Sequence, residues 1–201
     1  MAKPSWLTIS PASGSGNGTI SNSSNAHTGR VARQGTVTVQ GENVTTPSTY
    51  TVIQTALAEF ASFDSGTEMS VSKSGGAVTI TGKSNSSKLT FSWVGSSDVD
   101  LPSSYTVSGV STDNGASITG DPGASEQFTF SIALEVPENT TIEEITRTLK
   151  VTANGGQYAQ INLVQAAGDA YLSVSPTEIT IPQDGSAVSV TVTSNTSWTV
   201  S

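Results

Sequence analysis

Cysteine is absent from the 201 residues, which excludes a disulfide framework, thiolate-bound zinc, iron–sulfur clusters and thiol catalysis. A single histidine, His27, leaves no imidazole pair for a metal and argues against hydrolysis by a Ser-His-Asp triad. It reads as a turn residue beside Asn25, with no partner for general-base work. Charged residues make only 12% of the chain and aromatic ones 6%, and no apolar run approaches the ~20 residues of a membrane helix. Met1-Ala2-Lys3-Pro4-Ser5-Trp6 leads straight into polar sequence without the apolar core of a secretory signal. A lipoprotein anchor would need a cysteine, so the chain reads as one made and kept in the cytosol. These absences argue against most enzyme classes, and we expect a noncatalytic protein with no cofactor and no metal.

Serine and threonine, in contrast, fill 62 positions. That suits thin β-sheets with hydroxyl-rich outer faces better than helices, which favour Ala, Leu, Glu and Lys. The formal charge of −8 is unevenly placed. Residues 1–56 hold Lys3, Arg30 and Arg33 against Glu42, whereas residues 57–201 hold five basic and fifteen acidic groups. An acidic bulk repels phosphates and anionic lipid, so neither nucleic acid nor membrane is expected as a partner.

The chain also repeats itself. Residues 61–91 overlay 171–201 without a gap, with ten of 31 positions identical. Thr67-Glu68-Met69-Ser70-Val71 falls on Thr177-Glu178-Ile179-Thr180-Ile181, and Ser84-Asn85 on Ser194-Asn195. With short gaps, Asn25 to Arg33, Thr36-Val37-Thr38-Val39 and a strand ending at Gln54 match Asn139 to Arg147, Thr148-Leu149-Lys150-Val151 and a strand ending at Gln165. Three units follow: residues 1–56 as the back half of a unit, 57–168 as a complete one, and 169–201 as the front half of another. Apolar residues alternate at period two in Val78/Ile80, Phe128/Phe130/Ile132, Leu149/Val151, Ile179/Ile181 and Val188/Val190/Val192, the mark of half-buried strands. Gly-, Asn- and Asp-rich turns separate them. The fold class is therefore all-β, with tandem antiparallel β-sandwiches. Only Gln54 to Ala61 has a helical composition.

Ser194-Asn195-Thr196-Ser197-Trp198 and Ser5-Trp6-Leu7-Thr8-Ile9-Ser10-Pro11-Ala12-Ser13-Gly14 resemble the two halves of a BACON domain, the Bacteroidetes-associated carbohydrate-binding often N-terminal family. The resemblance is strong in 4–56 and 171–201 and weak between them, where Lys88 stands at the first Trp position. It implies an immunoglobulin-like sandwich. It further implies either a structural protein of a Bacteroidetes-infecting phage, including the crAss-like phages, or a glycan-binding or spacer module of a bacterial surface protein. The absence of an export signal favours the first: a head fibre or capsid-decoration protein, made in the host cytoplasm and resident on the capsid surface. Its partners would be the major capsid protein or other virion proteins, with Lys3, Arg30 and Arg33 as capsid-docking candidates, and host or mucin glycans as further ligands.

Sugar recognition stacks aromatic rings on the pyranose and adds carboxylates for its hydroxyls. The extra residues of the central unit, between Ser92 and Glu126, make Trp93, Asp98, Asp100 and Tyr105 the glycan-binding candidates, although Trp93 also continues a core-like Leu89/Phe91/Trp93 alternation. Trp6 and Trp198 are expected in sandwich cores. Asp98-Val99-Asp100 lacks the further oxygens that calcium needs and reads as a solvated turn. Asn85, Asn139 and Asn195 lie in Asn-x-Ser/Thr sequences, but together with Asn25 they recur at matching places, so turn chemistry explains them better than glycosylation. Half a sandwich leaves an open edge and core face. Either the next residues of a longer chain complete it, the preferred expectation, or residues 4–56 of another molecule do, giving a homo-oligomer by head-to-tail strand complementation.

Overall fold

The computed structural model describes residues 3–201. Fifteen short strands carry almost all the regular structure. The first segment contains β1 (Leu7–Ser10), β2 (Ser21–Ser24), β3 (Arg33–Val39) and β4 (Ser48–Gln54), paired antiparallel as β1 with β2 and β3 with β4. The central segment contains β5 (Ala61–Phe63), β6 (Glu68–Val71), β7 (Gly76–Ser84), β8 (Leu89–Trp93), β9 (Ser104–Val107), β10 (Val110–Asp113), β11 (Phe128–Val136), β12 (Ile145–Ala153) and β13 (Tyr158–Gln165). The last segment contains β14 (Leu172–Ser175) and β15 (Thr191–Ser194), again an antiparallel pair. Among the described residues the one helical element is a 3-10 turn, Pro122–Ala124. Gln54 to Ala61 is not helical; it runs on from β4 as an extended connection.

The central strands close into a two-sheet sandwich. One sheet has the order β10-β9-β11-β7-β5 and the other β6-β13-β12-β8. Within them, β9-β11-β7-β5 and β8-β12-β13 follow the D-E-B-A and C-F-G strand order of constant-type immunoglobulin domains. All pairings are antiparallel except β6 with β13. The period-two alternation sends Ile80, Phe130, Ile132, Leu134, Leu149, Val151, Ile161 and Leu163 inward, all nearly inaccessible, while their neighbours face water. Phe130 sits where rings converge, edge-on to Phe63 at 6.0 Å and to Phe91 at 5.6 Å between centroids. Gly82 lies directly beneath it, and a Cβ there would overlap both the Phe130 ring and the Ser62 carbonyl. The sheet approaches this ring so closely that only glycine fits.

The extra residues of the central unit are not a free loop. They add the β9–β10 hairpin to one sheet and bury Val99 and Ile118 in the core. Val188/Val190 and Ile179/Ile181 alternate as the sequence predicts, but they lie outside the strands and stay exposed. Trp198, expected in a core, is 52% exposed. A strand pattern states which face would be buried, and burial requires a facing sheet, which this segment does not meet within the chain.

Candidate functional site

The four glycan candidates are not brought to one surface. Tyr105 points inward from β9, 3% exposed and tilted against Phe91 at 5.0 Å. Burial pushes its phenol above the ordinary range, partly offset by the Leu89 backbone. A sugar needs an open ring face, so the stacking role assigned to Tyr105 is corrected to core packing. Trp93, at the end of β8, is half-buried against the core, and its indole N–H is enclosed without a hydrogen-bond partner among the described residues. Asp98 and Asp100 do share an open depression, with Leu101, Pro102, Ala133 and Glu135. Neither Trp93 nor Tyr105 lines it.

Asp98 is instead committed to Arg147. From the buried face of β12, the Arg147 guanidinium donates through Nε to Oδ1 and through Nη2 to Oδ2 at 2.8 Å, and its Nη1 donates to Gln165 Oε1 at 2.8 Å. The Arg147 side chain is 4% exposed and that of Asp98 is 56% exposed. The guanidinium holds the Asp98 carboxyl below the usual carboxylate range. Gln165 completes the cluster by donating from Nε2 to Pro137 O at 2.8 Å and toward Ser72 O and Lys73 O, both at 3.3 Å. This planar, bidentate arrangement ties the long loop after β8 to the strands β12 and β13.

The same pair recurs in the first segment, where Arg33 Nε donates to Gln54 Oε1 at 3.0 Å and the guanidinium lies 4.8 Å above the Trp6 ring. In β3 Arg33 stands opposite Gln54, whereas in β13 Gln165 stands opposite Ile145. The matching arginine has moved two residues along its strand, which keeps it on the same face. Arg33 is therefore engaged within its own unit. Lys3 likewise donates to Leu7 O.

The most developed polar constellation lies at the junction between the first and central segments. Asn85, with no exposed surface, accepts from Phe60 N at 3.0 Å and donates toward Thr28 O, Leu57 O and Ala58 O at 3.1–3.3 Å. Beside it Ser84 Oγ donates to Phe60 O at 2.6 Å and accepts from Ser86 N at 3.0 Å. Arg30 crosses the same seam in a bidentate pair with Asp121, Nη1 to Oδ1 being 2.7 Å, and lies 3.5 Å from Glu59. Asp121 raises the Arg30 pKa and is itself lowered in return. Backbone bonds Arg30 N to Gly123 O, Val31 N to Ala124 O and Leu57 N to Gly29 O close the seam. Gly29 is buried, and a Cβ on it would meet the Ser125 carbonyl carbon and oxygen at 2.5 Å. Arg30, offered by sequence as a docking cation, is thus a clamp between units.

The second junction repeats this chemistry. Asn195 accepts from Tyr171 N at 2.9 Å and donates to Asp169 O at 2.9 Å and Thr140 O at 3.1 Å. Ser194 Oγ donates to Tyr171 O and accepts from Thr196 N, and Gly168 N donates to Thr141 O at 2.7 Å. Thr28 and Thr140, Phe60 and Tyr171, and Asn85 and Asn195 therefore hold equivalent places. Two details of the sequence overlay change. Gln54 Nε2 donates to Asn25 O as Gln165 Nε2 donates to Pro137 O, so Asn25 stands at the place of Pro137 and not of Asn139. Phe60 and Tyr171 match one residue out of step with Asn85 and Asn195, so the ungapped overlay contains a one-residue slip. The recurrence of Ser-Asn-Ser/Thr, read from the sequence as turn chemistry, is the signal that marks this junction, whereas the Arg30–Asp121 bond, 91 residues apart, left no local signal.

Replacing Asn85 by Asp would set a carboxylate against three carbonyl oxygens with nothing to donate. We expect a loss of about 2 kcal/mol, the scale of an unsatisfied buried group, and selective release of the first segment. Limited proteolysis should then cut within residues 24–60 while the sandwich stays resistant; the partly exposed Asn195→Asp should show a smaller change. Among the described residues no cluster of three or more His, Asp or Glu side chains is placed to hold a metal. No family model matches the chain, and no curated protein matches it.

Proposed function

We propose that the protein is a noncatalytic structural component of a virion, a head fibre or capsid-decoration protein of a Bacteroidetes-infecting phage, built of BACON-like units. The observation that carries the reading is the duplicated junction. Each unit is held to the one before it by a Ser-Asn-Ser/Thr corner whose amide donates to one carbonyl of the preceding unit, Thr28 O at the first junction and Thr140 O at the second, and at the first junction an arginine clamp and backbone bonds are added. Several hydrogen bonds across a seam resist bending far better than a flexible linker, which suits a projecting fibre or spacer more than an enzyme. The acidic surface fits a particle that must not stick to its own genome.

A second reading, a glycan-binding or spacer module of a bacterial surface protein, rests on the depression beside Asp98, Asp100 and Glu135, where carboxylates adjoin apolar Leu101 and Pro102. Immunogold labelling with antibodies to the full chain separates the two. We expect label on purified phage heads. Label on the envelopes of uninfected cells, with glycan-array binding that Asp100→Ala and Glu135→Ala abolish, would replace the first reading by the second.

A further inference from the structure

We propose that residues 169–201 of one copy are closed into a complete sandwich by residues 3–56 of a second copy, so that the chain assembles head to tail. The template for this contact is inside the molecule. By the overlay and the shared junction bonds, the last segment carries the counterparts of β5, β6 and β7, and the first segment those of β12 and β13. In the central sandwich those two sets of strands close on one another. There β6 runs parallel to β13 from Glu68 to Val71, and β7 runs beside β11, the place that β2 would take, over nine residue pairs.

Leu7 and Val37 are already buried within the first segment, but other outer counterparts of the same residue character lack the cover. Val190 is 39% exposed where its counterpart Ile80 is fully buried, and Ile181 is 62% exposed where Val71 is 6%. On the other half, Val39 is 42% exposed where Val151 is fully buried. Gln54 tells the same story in polar terms. Gln165 reaches from the back half to Ser72 O and Lys73 O of the front half, whereas Gln54 Nε2 reaches only Asn25 O of its own half. Charge is compatible with the match: apart from Arg30 and Asp169, which are paired with the central segment, the first segment carries Lys3 and Arg33 against Glu42, and residues 170–201 carry Glu178 and Asp184 with no basic residue.

A second copy is the occupant proposed, because strands that match each open face are encoded on this chain. The contact joins two different surfaces, so it propagates as a filament or closes as a ring rather than stopping at a dimer. β15 of one copy would lie beside β2 of the next, giving β14-β15-β2-β1 in the manner of β5-β7-β11-β9. This is strand addition with a matching core.

Sedimentation velocity of the full chain, from micromolar to sub-millimolar concentration, tests it. The wild type should show a concentration-dependent ladder of species. Val190→Asp and Val39→Asp change positions exposed in the single chain, so both variants should keep the wild-type circular dichroism and melting. Each should weaken self-association by about tenfold or more, because each buries an unpaired carboxylate in the joint. Mixed together, the intact head of the first variant and the intact tail of the second form one undamaged joint, so the mixture should give dimers and nothing longer. A wild type that stays monomeric throughout, or a dimer that stops at two and survives both substitutions, overturns the proposal.

Discussion

Phe130→Ala should lower the stability of the central sandwich by about 4 kcal/mol, read as a fall in the denaturation midpoint in urea without a change of slope. The ring is 2% exposed and bridges the two sheets. From β11 it meets Phe63 of β5 and Phe91 of β8 in edge-to-face contact, an arrangement worth about 0.5–1.5 kcal/mol per pair beyond the area it buries. Truncation leaves a cavity that cannot collapse cheaply. One wall is the Gly82 backbone, already held beside Ser62, and the opposite wall is Phe91, itself packed on Tyr105. Phe130→Leu should retain more than half of the lost stability, since a branched aliphatic fills much of the space. Equal losses for Leu and Ala would mean that the ring contacts, not the volume, dominate.

The strands around that ring were the most legible part of the sequence. Val78/Ile80, Phe128/Phe130/Ile132 and Leu149/Val151 alternate, and the inward members of each set are buried or packed on the core as the period requires. The same pattern in Ile179/Ile181 and Val188/Val190 promised strands that do not form, because alternation is a property of one strand while pairing needs a second. The candidate site was less legible. Tyr105 was offered as a stacking residue because it falls in an insertion, but that insertion builds β9 and β10 onto a sheet edge, which takes Tyr105 inside, while Trp93 packs on the core as its alternation with Leu89 and Phe91 suggested. The cations Arg30 and Arg33 were read as free because their partners are distant in sequence or of unlike type: Asp121 lies 91 residues away, and Gln54 and Trp6 carry no opposite charge. The repeat overlay, in turn, runs one or two residues out of step with the junction hydrogen bonds in places. Turns absorb single-residue insertions, and a two-residue shift along a strand returns a side chain to the same face.

Asp98→Ala should destabilise the sandwich by about 2 kcal/mol, below the roughly 3–5 kcal/mol lost when one partner of a fully buried ion pair is removed, because the Asp98 carboxylate is more than half exposed and solvent screens it. The Arg147 side chain, by contrast, is enclosed and would be left as a buried cation with only the neutral Gln165 for company. Replacing the arginine as well, as Arg147→Met with Asp98→Ala, removes that stranded charge, so the double variant should be more stable than Asp98→Ala alone. A double-mutant cycle by chemical denaturation measures the coupling. The pair also fixes a direction for pH. Asp98 titrates lower in the folded chain than in the unfolded one, so its stabilisation is fully present above the ordinary carboxylate pKa of about 4 and disappears as pH falls through the lowered folded value. Asp121, lowered by Arg30, behaves in the same sense. Wild-type stability should therefore fall as pH drops below about 4, and the fall should be shallower in the Arg147→Met/Asp98→Ala variant. Parallel acid profiles for the two proteins would show that the pair is not what links this fold to protons.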